Sequence, residues 1–285
     1  MPSPKEIKER IKSIDSTIQI TSAMKLVAAA KLRKAQDAII KIRPYIKKLE
    51  ELLQNVASGV TSINENPYIN QRPINNVLII GIASNKGLCG AFNMNVLKTI
   101  LKLKKNEFND KNVDIVVLGK KLEELLKFRN IPVKAVYHNI FQDLSYANVT
   151  TITQLFMNDF VDKKYDIIKV VHNQFKNAAT QILAVKQFLP IEVEKNTTPK
   201  DYIFEPSPNE IITNLIPNSL KIQFHKFILD SNAAEHGARM TAMHKATDNA
   251  KDLRKDLNLE YNKARQSAIT NQILEISSGA EALKS

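Results

Sequence analysis

The segment Ser84-Asn85-Lys86-Gly87-Leu88-Cys89-Gly90 is the first place in this 285-residue chain where chemistry could be expected. It follows the apolar run Val77–Ala83 and precedes an amphipathic stretch. That is where an α/β domain places a phosphate loop. The residues do not fit one. A dinucleotide fingerprint needs three glycines that let the backbone approach a pyrophosphate, and here two are spaced G-x-x-G. A P-loop needs Gly-Lys followed by Ser or Thr, whereas Lys86 precedes its glycine. No acidic residue ends the second strand, at Leu118-Gly119-Lys120. Cys89 is the single cysteine, which excludes an intramolecular disulfide and a cysteine-built zinc site. After an apolar strand it reads as a buried, inert thiol. His138, His172, His225, His236 and His244 show no metal-ligand spacing and read as exposed polar residues. Glu123-Glu124 and Asp159/Asp162 read as solvated helix faces, and no Gly-x-Ser-x-Gly elbow occurs. No catalytic residue, metal or cofactor is expected.

Composition narrows the class. The chain is 44% hydrophobic and 25% charged, which excludes disorder and collagen-like structure, and its seven glycines are few for an all-β protein. The longest unbroken apolar stretch, Val77–Ala83, is too short to span a bilayer. The opening Met-Pro-Ser-Pro-Lys has no signal-peptide core and no transit character. The expectation is a soluble, intracellular, helix-rich protein. The net charge of +12 suggests an anionic partner: nucleic acid, an acidic lipid headgroup or an acidic protein face. Lys31, Arg33 and Lys34 cluster, as do Lys102, Lys104 and Lys105. No helix-turn-helix, RRM or KH signature accompanies them, and no aromatics are interleaved for stacking.

The elements that would position these residues fall into three parts: 1–58, 74–195 and 209–285. In the first, Ile7, Ile11, Ile14, Ile18, Ala28, Leu32, Ala35, Ile39, Ile42, Ile46, Leu49, Leu53 and Val56 step mostly by fours and threes. This is the coiled-coil repeat. Thr21 and Lys25 stand in that seam where Ile or Leu would be expected, and Pro44 should bend the helix locally. In the last part, Met243, Ala246, Ala250, Leu253, Leu257, Tyr261, Ala264 and Ala268 repeat the pattern. Two seams at opposite ends of one chain are best satisfied by each other, as an antiparallel coiled coil. In the middle part, strands are expected at Val77–Ala83, Val113–Leu118, Val133–Tyr137, Ile167–Val171 and Gln181–Phe188. Helices are expected at Phe92–Phe108, Leu122–Arg129 and Ala147–Val161. The fold class is therefore α/β: a long antiparallel coiled coil of the N- and C-terminal helices, plus a Rossmann-like α/β middle domain with a mainly parallel sheet.

Four blocks are more specific than periodicity. The run from Thr21 to Leu32, T-S-A-M-K-L-V-A-A-A-K-L, and Ser84–Asn93, S-N-K-G-L-C-G-A-F-N, are two. Gly237-Ala238-Arg239-Met240-Thr241-Ala242-Met243 with Ala246–Ala250 is the third. Tyr261–Thr270, running into Glu275-Ile276 and Gly279-Ala280, is the fourth. In order and across the whole length they resemble the γ subunit of F-type ATP synthases, of bacterial type. Asn85-Lys86 departs from the Asp-Arg usual there, and Gln272 from a common acidic residue. With Cys89 alone, the thiol regulation of the chloroplast form is not expected.

The resemblance implies a non-catalytic rotor shaft that couples proton flow through the c-ring to ATP synthesis or hydrolysis at the β subunits. Implied partners are the α and β subunits, the ε subunit and the c-ring, with no nucleic acid. Implied location is the cytoplasmic side of the inner cell membrane, peripheral and held through the complex. Residue by residue, Met24 and Lys25 would lie near an acidic lever loop of a β subunit. Arg265 and Gln266 would form the polar pair that catches a β-subunit loop. Tyr202, Phe204 and Glu205 would meet the c-ring polar loops, and the Ser84–Gly90 turn would serve folding and subunit packing at the foot. A free-standing coiled-coil protein with an α/β head that binds an anionic polymer is the alternative. It would bind DNA or RNA with a steep salt dependence.

Overall fold

The computed structural model describes residues 3–58, 66–191 and 208–282. Two terminal helices, α1 (Pro4–Ser58) and α5 (Pro208–Ala282), enclose β1 (Asn76–Ile82), α2 (Phe92–Asn106), β2 (Asn112–Leu118), α3 (Lys120–Phe128), β3 (Ala135–Tyr137), α4 (Tyr146–Val161), β4 (Ile167–Phe175) and β5 (Gln181–Leu189). The chain divides into two compact units, one of Ala28–Arg239 and one of Met1–Val27 with Met240–Ser285.

In the larger unit, the five strands run in the order β3-β2-β1-β4-β5. β1, β2, β3 and β4 are parallel, and β5 returns antiparallel to β4. This is the expected Rossmann-like sheet. Alternate residues of β1 enter opposite cores, as a pleated strand requires. Val77 and Ile79 meet α2 and α3 through Val96, Leu97, Ile100, Leu122 and Leu126. Leu78, Ile80 and Ile82 belong to the other core, with Phe156 and Phe160 of α4 and Leu220, Phe224 and Phe227 of α5. The first part of α5 thus covers the sheet as a Rossmann helix would. It also meets α1, where Ile222 packs with Ile46 and Leu49. Pro44 lies inside α1, exposed, and the helix continues through it.

Two strand boundaries differ from expectation by two residues or more, each for a structural reason. β3 pairs only at Ala135, Val136 and Tyr137, so the sheet is shorter there than the apolar run. β4 continues past Val171 through His172, Asn173 and Gln174, because β5 pairs with those residues. Polar residues hid a strand that its neighbour's hydrogen bonds sustain.

In the smaller unit, the start of α1 is closed by a capping box. Glu6 N–H donates to Ser3 Oγ at 3.3 Å, and Ser3 N–H donates to Glu6 Oε2 at 3.2 Å. Pro4 occupies the first helical turn, where its missing N–H costs nothing. α1 runs antiparallel to the distal part of α5. Thr21 meets Thr247, and Asp15 meets Arg254 at 3.1 Å. Thr247 and Arg254 hold the levels assigned to Ala246 and Leu253. Leu253 is 48% exposed and Thr247 is buried, a correction by one residue that keeps the alternation of fours and threes.

Candidate functional site

Three places carry the functional question, and the first is the Ser84–Gly90 turn. It sits at the carboxyl end of β1, between β2 and β4, where the strand order reverses and where α/β folds admit ligands. Its geometry is built from side chains within the chain. Ser84 N–H and Oγ–H both donate to Asn93 Oδ1, at 2.9 and 3.0 Å. Asn85 Nδ2 donates to the carbonyl of His138 at 3.0 Å, and Asn85 Oδ1 accepts from Lys120 N–H at 3.0 Å. An aspartate at position 85 could accept but not donate, so the departure from Asp-Arg gains one bond to the segment after β3. Gly119 has φ +113, and a Cβ there would meet the carbonyl oxygen of Ala83 at 2.3 Å, so only glycine fits. Leu88 holds φ 63 and is 65% exposed. Cys89 is buried, and burial pushes its thiol up, as expected of an inert group.

The turn turns its carbonyls to α5. The Arg239 guanidinium donates to the carbonyl of Gly87 and, at 3.3 Å, to that of Lys86. Its Nη2 also pairs with Glu235 Oε1 at 2.5 Å, one helical turn back. Arg239 and Glu235 are both buried. Desolvation raises the Glu235 carboxyl, and the Arg239 contact opposes it. A phosphate loop aims N–H groups at an anion; this turn aims oxygens at a cation. In the sequence Arg239 is one residue of the Gly237–Met243 block, and nothing in its local neighbourhood marks its partner.

The second place is the seam around Met24 and Lys25. Both are half-buried. Lys25 Nζ lies 3.4 Å from His244 Nδ1, and the same nitrogen lies 3.3 Å from Asp248 Oδ2. The imidazole can accept there from Lys25 in one tautomer or donate to Asp248 in the other. One nitrogen cannot do both. Lys25 is thus held within the helix pair. The third place is the end of α5. Eleven residues before Asp15 is Pro4, and eleven after its partner Arg254 is Arg265, so α5 runs past the start of α1 from there on. Arg265 and Gln266 are exposed. Beyond them Ile269, Ile273 and Ile276 repeat by four and three on one face, 47%, 61% and 73% exposed, with Leu274 at 61%. Tyr202, Phe204 and Glu205 lie outside the described residues.

The histidines were expected on the surface, and two are not. His172 is buried against the Phe227 ring at 4.6 Å between centroids, and His225 is buried with Nε2 2.9 Å from the carbonyl of Leu144. His172 faces α5 and His225 stands on it, so both are covered where the apolar side of α5 packs on the α/β domain. Among the described residues no group of three or more His, Cys, Asp or Glu is placed to hold a metal, and no helix is long and apolar enough to cross a membrane.

Comparison with known proteins agrees with this geometry. The model of the family described as ATP synthase matches residues 3–283. An ATP synthase gamma chain of Christiangramia forsetii is 53% identical over 285 residues, covering 99% of each chain. One from Flavobacterium psychrophilum is 53% identical over 287 residues, covering 100% of each. In the solved Euglena gracilis mitochondrial ATP synthase, a chain of the OSCP/F1/c-ring assembly has the same fold, with a TM-score of 0.70 at 19% identity, covering 98% of this chain and 94% of that one. A chain of the Euglena gracilis rotor gives 0.68 at 18% identity, covering 93% and 98%. Paired terminal helices, a 3-2-1-4-5 sheet and blocks of γ-type sequence coincide over the full length, and the chain belongs to the ATP synthase gamma chain family.

Proposed function

We propose that this chain is the central shaft of a rotary ATP synthase, non-catalytic itself, coupling ion flow through a c-ring to ATP synthesis or hydrolysis at β subunits. The observation that carries the reading is the end of α5. A single helix with Ile269, Ile273, Leu274 and Ile276 turned to water is not a stable terminus for a solvated protein. A sleeve of α and β subunits would bury that stripe without a second helix of this chain. Membership of the gamma chain family supplies the identity of the sleeve.

The mechanism follows from asymmetry. A shaft seated in a ring of like subunits meets each of them with a different face. Each angle then stabilises a different set of open and closed β conformers, and nucleotide affinity and torque become linked reciprocally. In this reading Arg265 and Gln266, which stand exposed at the level where α1 begins, catch a β-subunit loop. Met24 and Lys25 approach an acidic lever loop, with His244 holding the lysine in place. Tyr202, Phe204 and Glu205 meet the c-ring, and the ε subunit binds the foot. The chain sits on the cytoplasmic side of the inner membrane, held there by the complex.

The test is a tagged pull-down from detergent-solubilised native membranes, with subunits identified and ATPase measured on the eluate. Recovery of α, β and ε with magnesium-dependent ATPase supports the reading. An eluate of this chain alone, or with nucleic acid, overturns it.

A further inference from the structure

Arg239 does something that the conformation of the first crossover turn does not require. Ser84, Asn85 and Asn93 already fix that turn from within the α/β domain, through five hydrogen bonds of 2.8 to 3.0 Å. The Arg239 bonds to the carbonyls of Lys86 and Gly87 add a link between the turn and α5. Glu235 neutralises the guanidinium and orients its fork. A buried ion pair is a poor way to gain stability, because desolvation offsets most of the attraction. Its advantage is direction: a planar fork holding two successive carbonyls resists sliding and rotation, as apolar packing does not. The adjoining Leu88 keeps a left-handed backbone, a conformation that persists only where the surroundings over-determine it.

We propose that Arg239 is a positioning residue for torque transfer: by clamping the carbonyls of Lys86 and Gly87 it obliges the α/β domain and α5 to turn as one body under load. This rests on the shaft reading above. Under no load the sheet-side apolar core suffices to hold α5 on the domain. Under torsion, that core can creep, and the clamp is the element that limits the twist.

The experiment uses the complete complex in inverted membrane vesicles, carrying Arg239→Met paired with Glu235→Gln so that no buried charge is stranded. Arg239→Lys is the second variant; it keeps the charge and donors but not the rigid planar fork. Proton pumping per ATP hydrolysed is expected to fall about threefold or more in the paired variant, and less in the lysine variant, while assembly and ATPase stay near wild type. Cys89 is a built-in reporter. Because Ser84, Asn85 and Asn93 hold the turn by themselves, release of the clamp should leave Cys89 protected; labelling about tenfold faster would show that Arg239 serves the turn's own fold and would overturn the positioning role.

An unchanged ratio of pumping to hydrolysis overturns the proposal, whatever Cys89 does. So does a parallel loss of assembly, ATPase and pumping, which marks a purely structural contact. If the wild-type chain fails to co-purify with ATPase at all, the shaft reading falls first and takes this inference with it.

Discussion

Thr247 Oγ donates a hydrogen bond to Thr21 Oγ across the two terminal helices, at 2.8 Å, between residues 226 apart in the chain. Both side chains are buried, and Thr21 passes its own proton to the carbonyl of Thr17 at 2.8 Å. A polar layer of this kind in an apolar seam favours one register, because any slip gives up the bond between the helices and sets a hydroxyl against apolar neighbours. Antiparallel helices lined by small residues otherwise have several registers of similar energy. The Asp15–Arg254 pair, half-exposed, adds little energy but agrees with the same register.

Replacing either threonine alone by valine should cost about 1 kcal/mol, because the remaining hydroxyl can fall back on its own helix. The double replacement should be neutral or stabilising, with a positive coupling in a double-mutant cycle. Chemical denaturation of the purified chain reads both. Additive costs in the double variant would show that the two hydroxyls do not interact.

Gly119→Ala should be among the most damaging single changes in the α/β domain. The added methyl would lie 2.3 Å from the Ala83 carbonyl oxygen, and the backbone φ of +113 is closed to alanine. A loss of about 3 kcal/mol or more is expected. Gly279→Ala is the control, since a Cβ there meets nothing within 4 Å and the position is helical. It should stabilise the helix by up to about 1 kcal/mol. Comparable melting of the two variants would refute the steric account.

His172 should make the fold acid-sensitive. Burial holds its pKa at about 3, with Lys186 and Lys226 acting in the same direction, against 6.5 in an open chain. The unfolded state therefore takes a proton below 6.5 that the folded state refuses until about 3, and stability falls across that window as pH drops. His236, held at about 4, acts in the same sense. Asp230, raised to about 6 by burial, acts oppositely, because the folded state protonates first and gains stability below that pH. His172→Phe keeps the ring against Phe227 and should recover about 2 kcal/mol at pH 5 relative to pH 7.5. Denaturation curves at the two pH values decide it; parallel losses in wild type and variant would exclude His172 as the sensor.

Arg265→Ala should separate folding from function. The side chain is exposed, and its removal should change stability by no more than about 0.5 kcal/mol. If it catches a β-subunit loop, ATPase turnover of the assembled complex should fall about tenfold, the scale of one lost charge-assisted contact. Unaltered turnover with unaltered melting would remove Arg265 from the interface.

Several elements were legible because they repeat. Ile7, Ala28, Leu32, Ala35, Ile39, Ile46 and Leu49 are buried as their spacing required. The runs in β1 and β2 are apolar on both faces, which marks a parallel sheet covered on two sides. The seam on α5 was placed one residue off at two levels. There the apolar Ala246 and Leu253 outscore Thr247 and Arg254 by type, although the latter face the partner helix.

The alternation of strand and helix, the two terminal seams, the family blocks and the lack of a phosphate fingerprint at Ser84–Gly90 can all be read along the chain. These are local patterns, set by side-chain period and residue type over a few turns. What the polar residues do comes from the fold: Arg239 reaches the carbonyls of Lys86 and Gly87, Thr21 finds Thr247, and His172 is buried. A polar side chain announces no partner in its own neighbourhood. Its role depends on which distant group the fold brings within about 3 Å, and desolvation at that point turns a weak preference into a specific contact.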